Sequence, residues 1–393
     1  MDKKETIWTF NFVALFIING VMFFGQFMMG ALLPKYLSGL GFASSVIGII
    51  MGMFSVTALG TRPITGPLID GMNRKTLYMI MLGLLTIASF GYAIADNIPL
   101  LVIFRLLHGV SMGCSSALAL TLVAEVLPKS RLASGVSIYG MSSILSTAFG
   151  PGVGLEIMNR FGYPAAFSCA AVLTLMAFIV SSRLRLDPRP GHKIVVKLSR
   201  LLAQEALIPA FFIFLISLTR AGINTFFVIY ITEDRNIPGI AVYYLINAGV
   251  LLISRPLFGR MADKHGIHRS LIPSFIFFAA NLGLLAYCTQ TWQLWIIGAL
   301  SALGLGTAFS SLQALCMKVV PDNRRGAGST TVFAGIDIGD LIGPVIAGVI
   351  VQFFGYREMF LASLLPLILC AYLLWLWVRK HHGIPDPPVE SAG

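Results

Sequence analysis

The amino-acid sequence predicts an all-α membrane protein in which twelve transmembrane helices form two parallel six-helix repeats around a central cavity. Three observations lead to this fold class: long uncharged apolar segments, a motif written twice, and basic residues gathered in the loops of one side. Hydrophobic residues make up 56% of the 393-residue chain and charged residues only 11%, whereas soluble domains carry about 25% charged residues. A soluble protein could not cover its surface with so few charges, so we expect the lipid bilayer as a partner.

Each predicted span is an apolar segment of about 20 residues or more, the length that crosses a bilayer as a helix. Residues 6–33 and 271–309 contain no charged side chain. We expect helices because an unpaired backbone amide in hydrocarbon costs several kcal/mol, and because these segments are continuous rather than alternating. The first segment is followed by many like it, which favours a span over a cleaved signal peptide. The spans are predicted at 7–33, 44–66, 77–95, 100–124, 134–157, 164–182, 205–231, 240–261, 271–289, 293–317, 328–353 and 359–378.

Lysine and arginine are distributed unevenly over this topology. About 20 of the 28 fall on the side that holds both termini, four fall on the other side and four lie at membrane depth. This positive-inside bias predicts a multi-pass protein of the inner (cytoplasmic) membrane with both termini in the cytoplasm. The net charge of +11 therefore reports orientation, and we expect no nucleic-acid partner. We expect the protein to be a monomer.

The phrase R-P-x-x-G-x-x-x-D occurs at residues 62–70 and again at 255–263, an offset of 193. The same offset relates Gly150-Pro151 to Gly343-Pro344 and the Phe-Gly-Tyr of 161–163 to that of 354–356. The chain is therefore interpreted as a tandem duplication of two parallel repeats. The expected domains are an N-terminal bundle (1–182), a cytoplasmic linker (183–204), a C-terminal bundle (205–380) and a cytoplasmic tail (381–393). Two such bundles can rock about a site between them, which favours a transporter.

The motifs in the loops and spans resemble those of the major facilitator superfamily over essentially the whole chain. GPLIDGMNRK (66–75) resembles that family's signature between helices 2 and 3, GRMADKHGIHR (259–269) is its second-half counterpart, and RLLHG (105–109) resembles the helix 4 motif. The first loop departs from the signature, since Gly71 replaces a basic residue and Asn73 replaces a glycine. Bacterial drug and metabolite exporters that exchange substrate against protons are the most similar group.

SILSTAFGPGVG (143–154) resembles the helix 5 motif that marks proton-exchanging exporters in that family, although Ser146 and Leu155 replace two of its glycines. GDLIGPVIAG (339–348) in span 11 resembles it more closely. Such small residues let helices approach closely. The helix-packing motif is predicted to comprise Gly150, Pro151, Gly154, Gly339, Gly343 and Pro344.

The resemblance implies that the two signature loops latch the halves together on the cytoplasmic face in the outward-open state. An exposed ion pair there is worth roughly 0–1 kcal/mol, weak enough to break in each cycle. The alternative is that these charges only fix the topology. The predicted gate residues are Asp70, Arg74, Glu125, Arg131, Asp263, Lys264 and Arg269.

Charged residues at membrane depth that have no equivalent in the other repeat are the candidates for chemistry. Asp337 corresponds to Ile144 and Asp340 to Thr147, while Arg105 and Arg220 correspond to Gly298 and Phe27. Each charge costs at least roughly 2.5–3.5 kcal/mol at mid-membrane if it is unpaired. A cost of this size indicates that each of them has a partner or a function.

Asp337 lies about ten residues into span 11, which places it about 15 Å along the helix, near the membrane midplane. Asp340 follows one turn later on the same face. A carboxyl group in a low-dielectric setting can take up and release a proton near neutral pH. We therefore predict Asp337 and Asp340 as proton carriers. The alternative is a permanent ion pair with Arg220.

Arg220 could hold an anionic group of a small-molecule substrate or pair with Asp337. The resemblance implies that spans 1, 4, 7 and 10 line the cavity, and that the span 4 arginine, Arg105, takes part in proton coupling; the alternative for Arg105 is structural bracing. The predicted substrate-binding residues are Arg220, Asn224, Asn19, Gln26, Gln313 and Asn247.

No catalytic motif occurs in the sequence, and no G-x-x-x-x-G-K-[ST] phrase that would bind ATP. The five cysteines are scattered singly in apolar surroundings, so neither a metal site nor a cofactor is expected. We therefore expect a transporter rather than an enzyme: a proton-coupled secondary transporter that exports a small organic molecule by alternating access. Three alternatives stay open, namely a proton-coupled importer of a polar metabolite, a flippase for lipids or lipid-linked substrates, and a non-transporting scaffold.

Overall fold

The computed structural model describes residues 6–128, 131–186, 203–321 and 325–380, and contains no strand among them. Eleven of its helices are long and apolar enough to cross a membrane, and α5 is a 30-residue helix at the remaining predicted position. The predicted fold class is thereby confirmed. The helices are α1 (Phe10–Gly39), α2 (Ser44–Gly71), α3 (Arg74–Ile94), α4 (Ile98–Val126), α5 (Leu132–Phe161), α6 (Tyr163–Ser182), α7 (Leu207–Ile229), α8 (Ile240–His265), α9 (Ile267–Ala286), α10 (Thr291–Lys318), α11 (Arg325–Phe354) and α12 (Tyr356–Lys380).

The first two helices run past the ends that the sequence predicted. Span 1 was expected to end at residue 33, but α1 continues through Pro34 to Gly39. Span 2 was expected to end at residue 66, but α2 continues through Pro67 to Gly71. Hydropathy marks where a segment leaves the hydrocarbon, whereas the helix itself ends only where its backbone turns. A single proline removes one backbone hydrogen bond and kinks a helix without always ending it.

The Phe-Gly-Tyr phrase forms the same turn in both repeats. Gly162 separates α5 from α6 with φ at 84°, and Gly355 separates α11 from α12 with φ at 101°. An L side chain rarely adopts a positive φ, so glycine is the residue that suits this sharp reversal. The repeated motif therefore adopts the same backbone conformation in both repeats.

The chain divides into two compact units, Met1–Leu33 with Val56–Val196 and Pro34–Ser55 with Lys197–Gly393. One segment of the first repeat thus belongs to the second unit. This segment, residues 34–55, comprises the end of α1, the connecting turn and the start of α2, and we call it the 34–55 hairpin. Its first residue is the buried proline inside α1.

Glycines bring the 34–55 hairpin into backbone contact with α11. A Cβ atom added at Gly52 would lie 2.6 Å from the carbonyl oxygen of Leu341, and one added at Gly48 would collide with the carbonyl of Pro344. On the other helix, a Cβ atom at Gly348 would collide with the carbonyl of Ser44. Only small residues allow two helices to approach this closely.

A polar cluster joins the same hairpin to the end of α7. The Lys35 Nζ lies 3.0 Å from a carboxylate oxygen of Glu233 and donates a hydrogen bond of 2.7 Å to the Thr232 hydroxyl. The Ser38 hydroxyl donates to the other Glu233 oxygen at 2.7 Å. Both Thr232 and Glu233 belong to a π-helical turn, Tyr230–Asp234, that continues α7.

The core of the second unit is the contact between α7 and α11. A Cβ atom added at Gly335 would lie 2.6 Å from the Ala210 carbonyl oxygen, and one added at Gly343 would collide with the carbonyl of Leu218. In return, a Cβ atom at Gly222 would lie 2.8 Å from the Cβ of Ala347. The small residues of α11 therefore lie against the backbone of α7 from Gly335 to Ala347, over about three helical turns.

The first unit contains an equivalent contact between α1 and α5. A Cβ atom added at Gly150 would lie 2.9 Å from the Phe24 carbonyl oxygen, and one at Gly154 would lie 2.5 Å from the Met28 Cγ. Gly150 corresponds to Gly343 through the offset of 193. Both repeats thus use the same pair of helices for their closest approach.

We expect the Gly339→Ala substitution to destabilise the protein, because the new Cβ would lie 2.6 Å from the Ser217 Cβ and 2.8 Å from the Leu218 nitrogen. Overpacking of this kind costs about 1–3 kcal/mol, so thermal unfolding in detergent should occur several degrees lower. Gly249→Ala on α8 is the matched control, since a Cβ there meets nothing within 4 Å. Equal melting temperatures for the two variants would contradict the close α7–α11 contact.

Candidate functional site

An ion pair between α7 and α11 forms the centre of the candidate site. One guanidinium nitrogen of Arg220 lies 2.6 Å from each carboxylate oxygen of Asp340. The side chains are only 23% and 26% exposed, so the pair is largely removed from solvent. The guanidinium carbon also lies 5.1 Å from the ring centroid of Phe309 on α10, which is within the range of a cation–π interaction.

The glycine contact between α7 and α11 positions these charges. Asp340 follows Gly339 directly, and Arg220 lies two residues after Leu218 and two before Gly222. Because the two backbones touch at these glycines, the long arginine side chain reaches the carboxylate from the flank of the contact. Removing one partner of a buried pair is strongly destabilising, whereas the intact pair adds little net stability.

Asp337 lies one helical turn before Asp340 and is 6% exposed. Residues spaced by three lie on the same face of a helix, so α11 presents two carboxylates toward one region of the second unit. The sequence left Asp337 as a possible partner of Arg220, and the structure places Asp340 at hydrogen-bond distance from that guanidinium. The pair and the neighbouring carboxyl group of Asp337 thus bring three ionisable groups together on α7 and α11.

Arg105 lies in the first unit, on α4. Its side chain is 3% exposed and is within hydrogen-bonding distance of Tyr92 on α3. The Tyr92 hydroxyl lies 3.2 Å from the Nδ1 atom of His108. Arg105 is thus part of a buried Tyr–His–Arg cluster inside the first bundle.

Two of the predicted substrate-binding residues hydrogen-bond to neighbouring helices. The Asn19 amide donates to the Ser142 hydroxyl at 2.7 Å and accepts from the Tyr139 hydroxyl at 2.7 Å, which ties α1 to α5. Asn247 on α8 donates to the Gly298 carbonyl on α10 at 3.1 Å. These contacts use hydrogen-bonding capacity that a substrate would otherwise need.

The other polar candidates differ in their accessibility. The Gln26 carbonyl oxygen is buried and has no hydrogen-bond partner among the described residues. Asn224 is exposed on α7, and Gln313 on α10 is half-buried. A buried polar atom without a partner costs free energy. Among these candidates, Gln26 would therefore gain the most free energy from a hydrogen bond to a polar ligand.

The predicted cytoplasmic gate is described in part. Arg74 at the start of α3 forms an ion pair with Glu125 near the end of α4, and its Nε donates to the Ile69 carbonyl at 3.1 Å. Arg131, Lys264 and Arg269 are exposed. The side chains of Asp70 and Asp263 lie outside the described residues.

Sequence reasoning missed Phe309 and the Lys35–Glu233 pair. Phe309 was one of 28 phenylalanines, and nothing in its local sequence indicates a contact with Arg220. In the sequence, Lys35 was only one of the four basic residues predicted on the side of the membrane opposite the termini. A lysine and a glutamate that share that side were the available signal, but the sequence does not show that they meet.

The model of the Major Facilitator Superfamily matches residues 15–210 and 209–393. The multi-drug resistance efflux pump PmrA homolog of Lactococcus lactis is 24% identical, with 96% of this chain and 97% of that protein covered. PmrA of Streptococcus pneumoniae is 27% identical over 87% and 91% of the two chains. The quinolone resistance protein NorA of Staphylococcus aureus is 23% identical over 88% and 90%. The resemblance predicted from the motifs is confirmed.

Solved structures share the fold at low sequence identity. The nucleoside transporter NupG superposes with a TM-score of 0.76 at 15% identity, covering 94% of this chain and 99% of that chain. A bacterial homolog of the human lysosomal transporter Spinster, in an inward-facing and unoccupied conformation, gives a TM-score of 0.77 at 12% identity, covering 99% and 100%.

We expect Arg220→Gln and Asp340→Asn each to lower the stability of the protein, and the double variant to lose less than the sum. Each single change leaves a polar or charged group without its half-buried partner, and contacting residues couple by about 0.5–3 kcal/mol. Thermal unfolding of the four proteins measures this coupling. The matched control is the Glu156–Arg160 pair, which is 57% and 69% exposed and should couple by less than about 0.5 kcal/mol. Equal coupling in the two pairs would contradict our assignment.

Proposed function

The chain belongs to the major facilitator superfamily, and on that premise we propose that it is a proton-coupled secondary transporter that exports a small organic molecule by alternating access. Eleven helices of the described residues are long and apolar enough to cross a membrane, and two of its relatives are named as multi-drug resistance efflux pumps. The proposed substrate is a drug-like compound or a metabolite. The proposed location is the inner membrane with both termini in the cytoplasm, as the distribution of lysine and arginine indicates.

The observation that carries the proposal is the Arg220–Asp340 pair beside the buried carboxyl group of Asp337. A proton on Asp340 removes the charge that holds the guanidinium, so a proton and Arg220 compete for the same carboxylate. Releasing the proton restores the ion pair. The site thus has two states of different charge distribution, and a substrate that binds one of them better becomes coupled to the proton.

Export is favoured over import by two separate observations. The relatives in Streptococcus and Lactococcus are described as efflux pumps, and residues 143–154 resemble the motif of proton-exchanging exporters. The nucleoside transporter NupG shares only the fold, at 15% identity, so it carries no argument on the direction of transport. The direction of flux under an imposed pH gradient distinguishes the two functions.

We expect Asp337→Asn to abolish proton-driven transport while the protein remains folded, because we propose that the carboxyl groups of Asp337 and Asp340 exchange the proton as a coupled pair, and an amide cannot take part in that exchange. The measurement is uptake of a fluorescent organic cation into proteoliposomes that are acidic inside, together with substrate exchange in the absence of a gradient. Exchange should persist, since it needs no net proton movement. The control is Asp96→Asn, an exposed carboxylate in the turn between α3 and α4.

Proton-driven transport by Asp337→Asn at the wild-type rate would remove Asp337 from the mechanism. Accumulation only when the acidic side is the side from which the compound is taken up would indicate cotransport with protons, and thus an importer. Absence of transport by the wild-type protein for a panel of organic cations, anions and zwitterions would contradict the transporter proposal itself.

We further propose that the 34–55 hairpin parts from α7 and α11 when the outer side of the protein opens. By sequence the hairpin belongs to the first repeat, yet it packs with the second unit. Its glycine contacts provide no side chain that would interlock, and its Lys35–Glu233 pair is partly exposed, at 15% and 34%. A partly exposed ion pair of this kind is worth about 1 kcal/mol or less, so it can form and break in every cycle.

We expect Lys35→Glu and Glu233→Lys each to slow transport, because like charges then face each other where the hairpin meets α7. The Lys35→Glu/Glu233→Lys double variant should recover most of the rate, since it restores attraction with the charges exchanged. Initial rates in proteoliposomes measure this. The same exchange at Glu156 and Arg160, an exposed pair within α5, is the control and should change the rate little in any combination. If the double variant does not transport faster than the single variants, the proposed role of the Lys35–Glu233 pair is contradicted.

A further inference from the structure

A groove of about 390 Å³ lies between the first two turns of α7 and the last two turns of α12. Its floor consists of Phe212 and Trp377, which are 1% and 8% exposed and meet edge to face at 6.1 Å between ring centroids. Its walls are apolar, and one cation closes its end. The lining residues are Leu207, Ile208, Phe211, Phe212, Leu373, Leu376, Trp377 and Lys380.

The walls of the groove face the bilayer. Leu207, Ile208 and Phe211 on the α7 side are 44–50% exposed. On the α12 side, Leu376 is 38% exposed and continues an apolar face that includes Ile368. In a membrane-spanning helix such a face contacts lipid, so the open side of the groove leads into the hydrocarbon and not into water.

The neighbouring aromatic residues fix the depth of the groove in the membrane. Trp375 is 53% exposed, stacks on Tyr372 at 6.3 Å and lies beneath the Arg379 guanidinium, whose carbon is 5.3 Å from the ring. Exposed tryptophan and tyrosine next to arginine are typical of the level of the lipid headgroups. The groove therefore begins just inside the hydrocarbon, and Lys380 lies at the level of the phosphates.

We propose that this groove binds an anionic phospholipid of the adjoining leaflet, with an acyl chain along Phe212 and Trp377 and the phosphate at Lys380. An acyl chain matches the floor and walls because no lining residue other than Lys380 carries a charged or strongly polar group. The headgroup is anionic because Lys380 and Arg379 provide two cations at the mouth, and the lining residues include no carboxylate. A cation at this level attracts anionic lipids.

This proposal does not depend on transport, because it concerns a surface that faces lipid at one end of α7 and α12. The competing occupants are two segments of the chain itself, residues 187–202 and 381–393, which adjoin the starts and ends of these helices and lie outside the described residues. If either segment occupied the groove, its occupancy would not depend on which lipid is present. The experiment therefore compares lipids that differ only in headgroup charge.

The test is native mass spectrometry of the full-length protein released from nanodiscs that contain equal amounts of phosphatidylglycerol and phosphatidylcholine with identical acyl chains. We expect the wild-type protein to retain phosphatidylglycerol over phosphatidylcholine, and Lys380→Gln to lower that preference about fivefold, which is the change that corresponds to 1 kcal/mol. Lys318→Gln is the matched control, because Lys318 is also an exposed lysine in the last turn of a helix, α10, and is not among the residues that line the groove.

A second variant tests the acyl-chain part of the site. Leu376→Trp places a larger side chain on a half-exposed wall, where it can fill the groove without disturbing the core. We expect this variant to retain less of both lipids, whereas Lys380→Gln should alter only their ratio. An unchanged ratio in Lys380→Gln, or an equal fall in Lys318→Gln, would overturn the headgroup site. Unchanged lipid retention in Leu376→Trp would indicate that chain and not lipid occupies the groove, and would overturn the proposal.

Discussion

The close approach of α7 and α11 is the constraint on which the second unit depends. Two helices reach backbone contact where small residues line the surface of at least one of them, and α11 meets this condition with glycines spaced by four residues. The same spacing leaves the next positions of α11 free to carry other groups. Asp340 occupies one of them, and Arg220 meets it from the facing helix. The packing thus creates the place where a charge pair can be held within the membrane.

Most of the architecture could be predicted from the sequence, because hydropathy, charge bias and the internal repeat are properties of the chain itself. The twelve helix positions are examples, and so is the repeated Phe-Gly-Tyr motif, which the structure shows as turns at Gly162 and Gly355. The ends of α1 and α2 were placed too early, since proline and polar residues mark the edge of the hydrocarbon rather than the end of a helix. Pro34 lies inside α1, and Pro67 lies inside α2.

The candidate site was predictable in its residues but not in its pairings. Asp337, Asp340 and Arg220 stand out as charges at membrane depth that have no counterpart in the other repeat. An unpaired charge in hydrocarbon is costly, so such a residue is expected to have a partner or a function. Which carboxylate meets Arg220 depends on the rotation of α7 against α11, and no single-helix pattern contains that angle. For the same reason, the sequence could not show that Asn19 hydrogen-bonds to Tyr139 and Ser142.

The 34–55 hairpin shows that a repeat in sequence and a unit in space are different things. Gly48 and Gly52 let the hairpin reach the α11 backbone, but their counterparts at the offset of 193 are Ala241 and Leu245. The second repeat therefore lacks the surface for the equivalent contact. A duplication conserves the frame that both copies need, and single substitutions then give one copy contacts that the other does not have.

The single copy of the Arg220–Asp340 pair has a consequence for how such a chain arose. A half-length ancestor would have had to assemble as a two-fold symmetric pair, in which every residue occurs twice. Any buried charge in that assembly would occur twice, so its desolvation cost would be incurred twice and the assembly would contain two equivalent titrating sites. Fusion into one polypeptide removed this symmetry, because Phe27 and Thr147 can stay uncharged in one half while Arg220 and Asp340 arise in the other. Covalent linkage therefore made it possible for the molecule to have one ionisable centre instead of two.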